Sequence, residues 1–145
     1  MSAWVMRRSR PSMLIGVILL SAASCGGGSA ASGANASDVS VTLRDFSITP
    51  DPSSADAGTI TFDITNDGPS THEFAVVRTD LAPGALPVEG GEISEDKIDI
   101  VDEAEDIAPS TSTSLVVQLS AGTYVLICNL PGHYQSGMHA AFTVR

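Results

Sequence analysis

From Asp38 to the C-terminus the apolar residues fall mostly on alternate positions. In VSVTLRDFSI (Val39 to Ile48) they are Val39, Val41 and Leu43, continuing through Phe46 and Ile48. In TITFDI (Thr59 to Ile64) they are Ile60, Phe62 and Ile64. Side chains of an extended chain point to opposite faces in turn, so each stretch presents one apolar face and predicts a half-buried strand. HEFAVV (His72 to Val77), SLVVQL (Ser114 to Leu119), YVLIC (Tyr124 to Cys128) and AAFTV (Ala140 to Val144) are shorter runs rich in β-formers. They bring the expected strands to at least six. TPDPSS, NDGPS and SAGT supply the turns between them. Short strands, regular turns and almost no helical periodicity predict an all-β antiparallel sandwich or barrel.

The segment from Arg78 to Pro109 fits this alternation poorly and is longer than a simple loop. It holds eight acidic residues between Glu92 and Asp106, with Lys97 the only base. We read it as a long acidic excursion between central strands, packed on the sandwich edge. A short strand (Lys97 to Val101) or a turn of helix is expected within it. Its charge run is read as a solvated face in preference to a partner site.

Residues 1–25 have a different character. Arg7, Arg8 and Arg10 precede the apolar run MLIGVILL (Met13 to Leu20). That run falls short of the ~20 apolar residues a membrane-spanning helix needs, but it suits the core of a secretory signal peptide. The apolar residues expected soon after a twin-arginine pair are missing, so the general export route is the reading taken. Cys25 follows AAS at the end of this segment and resembles a lipobox cysteine, with Ala22 where lipoproteins usually show Leu. Lipidation of Cys25 is the expectation. Cleavage near Ala36 and a Cys25–Cys128 disulfide are the alternatives, the disulfide ranked last because it would consume the thiol discussed below. Residues 26–37 are Gly-, Ser- and Ala-rich and read as a flexible tether reaching about 20 Å. Residues 38–145 form the single folded domain, long enough for a two-layer core without disulfides.

Charge narrows the partners. All seventeen acidic residues lie beyond Cys25, against four basic ones, a net −13 for the exported part. Such a field repels nucleic acid and anionic lipid and favours basic-faced partners. Contact with a membrane is expected only through an N-terminal lipid, and a monomer is expected.

The scarce residues are crowded. The chain has two Cys, three His and four Met, yet CNLPGHYQSGMH (Cys128 to His139) holds one Cys, two His and one Met. A lone Cys or Met in a β-protein is ordinarily core. Thiolate, imidazole and thioether together form a soft set that selects copper over magnesium, calcium or manganese. Cys128, His133 and Met138 lie on one loop between two strands, and three donors from one loop cannot enclose a metal. His72 opens the HEFAVV strand, where its side chain shares a face with Phe74 and Val76, and supplies the missing imidazole. His139 should point the opposite way from Met138 and be exposed.

NDGPSTHEF followed by GTYVLICNLPGHYQSGM resembles the small blue-copper proteins, the cupredoxins of the plastocyanin and azurin type. The resemblance covers residues 38–145. It rests on the Asn-x-Gly turn before the first His (Asn66, Gly68, His72), the Gly-x-Tyr strand into the Cys (Gly122, Tyr124, Cys128), and the Cys–His–Met loop. The four-residue gap between Cys128 and His133 is like that of auracyanin, rusticyanin and sulfocyanin. The resemblance implies a Greek-key β-sandwich holding one copper ion. His72, Cys128 and His133 would be equatorial ligands and Met138 a weak axial one. Backbone N–H groups of Glu73 and Leu130 would face the Cys sulfur. Glu73 itself departs from the family, which commonly has Asn there, and this bears on the reduction potential.

Three functions compete. The expected one is an extracytoplasmic electron carrier cycling Cu(I)/Cu(II) and serving redox protein partners. The second is a copper carrier or storage protein. The third, a copper enzyme, would need further His ligands, and only His139 is left over.

Overall fold

A computed structural model describes residues 36–145. The expected signal peptide, the expected lipidation at Cys25 and almost all of the expected tether fall on residues outside those described. Four strands make the first sheet: β1 (Ala36–Arg44), β2 (Ser47–Asp51), β4 (Gly58–Asn66) and β9 (Ser112–Leu119), in the order β2-β1-β4-β9. Five make the second: β3 (Ser54–Ala55), β5 (His72–Arg78), β8 (Asp99–Ile107), β10 (Gly122–Ile127) and β11 (His139–Val144), in the order β3-β11-β10-β5-β8. A small hairpin, β6 (Val88–Glu89) with β7 (Glu92–Ile93), stands apart. The domain is the all-β sandwich that the alternation predicts.

The inward positions of both sheets meet in one core. Val39, Val41 and Leu43 of β1, Ile60, Phe62 and Ile64 of β4, and Leu115, Val117 and Leu119 of β9 face Phe74, Val76, Leu126 and Phe142. Phe62 lies at its centre, with ring centroids 5.3 Å from both Phe74 and Phe142. Each such fully buried side chain contributes about 1.5–3 kcal/mol relative to exposure. Most strand pairs are antiparallel, but β1 runs parallel to β4, with Val39 opposite Phe62, and β3 runs parallel to β11.

Two expectations need correction. Val39 to Ile48 is not one strand: the chain turns at Asp45 and Phe46, and β2 folds back so that Ile48 pairs with Leu43. The apolar parity changes there from odd positions to even ones, which a straight strand cannot accommodate. Phe46 is left at the turn, 46% exposed. The acidic excursion also holds more than a short strand at Lys97 to Val101 or a turn of helix, and beyond the sandwich edge it covers a sheet face. It contains a 3-10 turn at Pro83–Ala85, the β6–β7 hairpin, a second 3-10 turn at Glu95–Lys97, and then the nine-residue strand β8. Gly90 and Gly91, with φ of 66° and 101°, make the hairpin's turn in a region that side chains disfavour. β8 pairs with β5 and forms the sheet edge.

Between β5 and β8 the excursion crosses the outer face of the second sheet and builds a second, smaller core. Leu86 and Ile93 from the excursion cover Ala75, Val77, Val125 and Ile127, and Tyr134 joins them from the loop before β11. This cover explains why β5 and β10 read as continuous apolar runs: both of their faces are dry.

Candidate metal centre

The site grows from the ends of three strands and the turns beside them. β10 delivers Cys128, which is fully buried, and the chain then turns through residues 129–138 before β11. His72 opens β5, buried to 0% exposure at the same end of the sandwich. The long loop closes on itself: Cys128 N–H donates to Met138 O (3.1 Å), and Met138 N–H donates to His133 O (3.1 Å). Those bonds bring the end of the loop back beside its start, and Met138 is fully buried in the main core. Of the sequence-predicted donors, His72, Cys128 and His133 are thus brought together, and Met138 closes the same loop through its backbone.

Their spacing suits an ion. His72 Nδ1 and His133 Nδ1 are 3.3 Å apart, and Cys128 Sγ lies 3.5 Å from His133 Nδ1. All three donor atoms lie within 4.8 Å of one another. Nitrogen and sulfur ligands roughly 2.0–2.3 Å from a common centre, spread around it in one plane, stand about this far apart. The donor set fits a soft transition metal, copper foremost.

The surroundings prepare each donor. Burial pushes the Cys128 thiol above its ordinary range, while backbone N–H groups of Glu73 and Leu130 pull the other way. The Glu73 N–H reaches the sulfur at 3.3 Å. A metal held by Cys128 would displace its proton, and the two amides would stabilise the negative sulfur. Burial, then the neighbouring His72, hold His133 below its usual range, with Asp45 opposing. His133 is only partly buried, and its ring meets Phe46 edge-on at 5.5 Å.

Sequence reasoning missed Asp45. The turn that interrupts the first predicted strand carries its carboxylate to His72, with Oδ1 2.9 Å from Nε2. Ser70 Oγ donates to Oδ2 at 2.6 Å, and this bond chiefly holds the Asp45 carboxyl below its ordinary range. Asn66, predicted only as a turn residue, is fully buried and ties the turn before His72. Its Nδ2 donates to Ser70 O and Ile107 O, and its Oδ1 accepts from Gly68 N–H, all at 2.8–2.9 Å. His139 points away from the donors as expected, but it is half-buried, its ring 5.0 Å from that of Tyr134.

The excursion grips the donor loop. Ile93 N–H donates to Asn129 Oδ1 (2.6 Å), Gly132 N–H to Gly91 O (2.8 Å), and Leu86 N–H to Tyr134 Oη (2.9 Å). Tyr134 in turn donates to Pro83 O. Next to it, Glu73 is half-buried and its carboxyl is pushed up to about 7, first by burial and then by Glu103, Glu105, Glu95 and Glu92.

The cupredoxin-like domain family matches residues 12–144. The chain is a cupredoxin. Among solved structures, this cupredoxin is similar to auracyanin A, a blue copper protein of Chloroflexus aurantiacus, at 18% identity and a TM-score of 0.55, over 77% of this chain and all of that one. It is similar to rusticyanin from Thiobacillus ferrooxidans at 20% identity and a TM-score of 0.56, over 78% of this chain and 79% of the other. Azurin iso-2 of Methylomonas sp. strain J gives 14% identity and a TM-score of 0.55, over 75% and 98%. At these identities the likeness concerns the fold. No curated protein matches this cupredoxin by sequence.

Proposed function

We propose that this chain is a type 1 copper protein that carries single electrons outside the cytoplasm. The observation that supports this most is the meeting of His72, Cys128 and His133 donors from separate parts of the chain within 4.8 Å, at a buried end of the sandwich. Copper, one ion per chain, would supply a Cu(I)/Cu(II) couple when bound. His72 and His133 offer ring nitrogens, Cys128 its sulfur and Met138 a weak thioether. The Glu73 and Leu130 amides neutralise charge on the sulfur, and the main core excludes water. The bonds from the excursion to Asn129, Gly132 and Tyr134 hold the donors in place, so little rearrangement accompanies a change of charge. Partly buried His133 is the edge of the site that faces outward. Auracyanin A, of similar fold, is a blue copper protein.

On this reading residues 1–25 direct export, Cys25 carries a lipid, and residues 26–37 tether the domain near a membrane. The acidic domain meets redox proteins with basic faces and performs no catalysis of its own. Release of Cys25→Ala chains from the membrane fraction checks the anchor; wild-type chains that begin at Ser37 and stay soluble would exclude it.

Voltammetry of Met138 variants tests electron transfer against copper storage. Met138→Gln supplies a harder donor and lowers the potential; Met138→Leu removes the donor and raises it. Copper stays bound in both. Loss of copper from Met138→Leu, or no reversible couple in the wild type, would favour copper handling instead.

A further inference from the structure

The contact between Asp45 and His72 is unlike any other carboxylate contact in the described residues. It joins the β1–β2 turn to a fully buried imidazole at 2.9 Å, across 27 residues of sequence. Its geometry is built from several sides. Ser70 Oγ fixes the second carboxylate oxygen at 2.6 Å, and Asn66 fixes Ser70 through its backbone oxygen. Gly68 lies over the junction: a Cβ there would come within 2.8 Å of Asp45 Oδ1 and 3.0 Å of His72 Nε2. Only a residue without a side chain leaves room for the pair. Arg44, next in the chain to Asp45, pairs with Asp67 instead, at 3.0 Å. The Asp45 charge is therefore directed at His72.

Resting on the copper reading above, we propose that Asp45 is a positioning residue that sets the tautomer of His72 and biases the site toward Cu(II). An ionised carboxylate accepts hydrogen bonds and cannot donate them. It therefore keeps the imidazole proton on Nε2 and leaves the Nδ1 lone pair aimed at the cluster with His133 and Cys128. A carboxylate behind a ligand imidazole also makes that ring a better donor. Its negative charge favours the more positive ion, so it stabilises Cu(II) more than Cu(I). His72 thereby becomes a fixed, electron-rich ligand, in contrast to the outward-facing His133.

The test separates charge from shape. Asp45→Asn keeps the outline and an oxygen that can accept from Nε2, but removes the charge. Ser70→Ala removes one bond to the carboxylate and keeps the charge. Potentials are measured by voltammetry and metal affinities by chelator competition, with the thiolate absorption recorded for each protein. Asp45→Asn should keep the band, weaken Cu(II) binding about 10–100-fold and weaken Cu(I) binding less. Each tenfold change in that affinity ratio raises the potential by about 59 mV. Ser70→Ala loosens the carboxylate but keeps its charge, so it should shift affinity ratio and potential in the same direction as Asp45→Asn does, and by less. A wild-type potential in Asp45→Asn with the band intact overturns the proposal, as does a shift in Ser70→Ala as large as in Asp45→Asn. A wild type without the band would remove the copper reading and this inference with it. Should Asp45→Asn fail to fold, nitrogen NMR of His72 in the metal-free wild type decides: a proton on Nε2 supports the proposal and one on Nδ1 overturns it.

Discussion

The two sheets share one core, yet their outer faces are opposites. On the first sheet the outward residues of β4 and β9 are polar and joined across strands: Thr59 to Gln118, Thr65 to Ser112 and Ser114 to Asp63, at 2.7–3.0 Å. Val116, the apolar exception, is 60% exposed. On the second sheet the outward residues Ala75, Val77, Val125 and Ile127 are dry beneath Leu86, Ile93 and Tyr134. The first sheet is an ordinary sandwich wall with water on one side. The second is a middle layer, and it is the one that carries His72 and Cys128. Covering it on both sides gives the donor-bearing strands little freedom, and the same cover grips the loop of His133.

The sharpest way to break this contrast is to cut the same face on each sheet. Ile127→Ala removes a side chain from the second core, and by precedent for buried Ile it should cost about 2–5 kcal/mol. Chemical denaturation of the copper-free protein measures it. A loss under 1 kcal/mol would mean that the excursion does not seal that face.

Glu73 sharpens the comparison on the same sheet. Its carboxyl, pushed up to about 7 from 4.5, is protonated in both the folded and the unfolded chain below pH 4.5 and has no effect there. Between these values the unfolded chain ionises more readily, so the folded state loses stability as pH rises and is fully penalised above about 7. Glu73→Gln mimics the protonated form. Without metal it should match wild type near pH 4 and exceed it by about 1–2 kcal/mol at pH 8, after allowance for solvent screening. Equal stability at both pH values would contradict the crowding of Glu73 by burial and its acidic neighbours.

The smallest effect belongs to the open sheet. Val116→Ala should change stability by no more than about 0.5 kcal/mol, although Val116 and Ile127 are both outward-facing apolar strand residues. A cost near that of Ile127→Ala would show that something covers the first sheet as well.

This difference also explains what could be read from the chain. Alternation at Ile60, Phe62 and Ile64 reports a strand with one wet face, and it located β4 well. Unbroken runs such as YVLIC report two dry faces, yet they do not say what lies on the second. Leu86 and Ile93, which lie there, are isolated in the sequence and carry no period. β8 carries little signal because, as a sheet edge, it is mostly exposed and heavily acidic (Asp99, Asp102, Glu103, Glu105, Asp106), which discourages pairing with other chains and erases the apolar alternation. The donors were legible because soft ligands are scarce and crowded. Asp45 was not, because a carboxylate in a turn looks the same whether it faces water or an imidazole 27 residues away. Only the parity change between Leu43 and Phe46 marked its turn.

The central claim is a copper–thiolate bond at Cys128. Titrating the metal-free protein with Cu(II) while recording the visible spectrum tests it most directly. The account predicts an intense blue or green thiolate charge-transfer band that saturates at one copper per chain, bleaches reversibly on reduction, and is absent from Cys128→Ser. A wild type that binds copper without the band, or a Cys128→Ser variant that keeps it, would contradict the account.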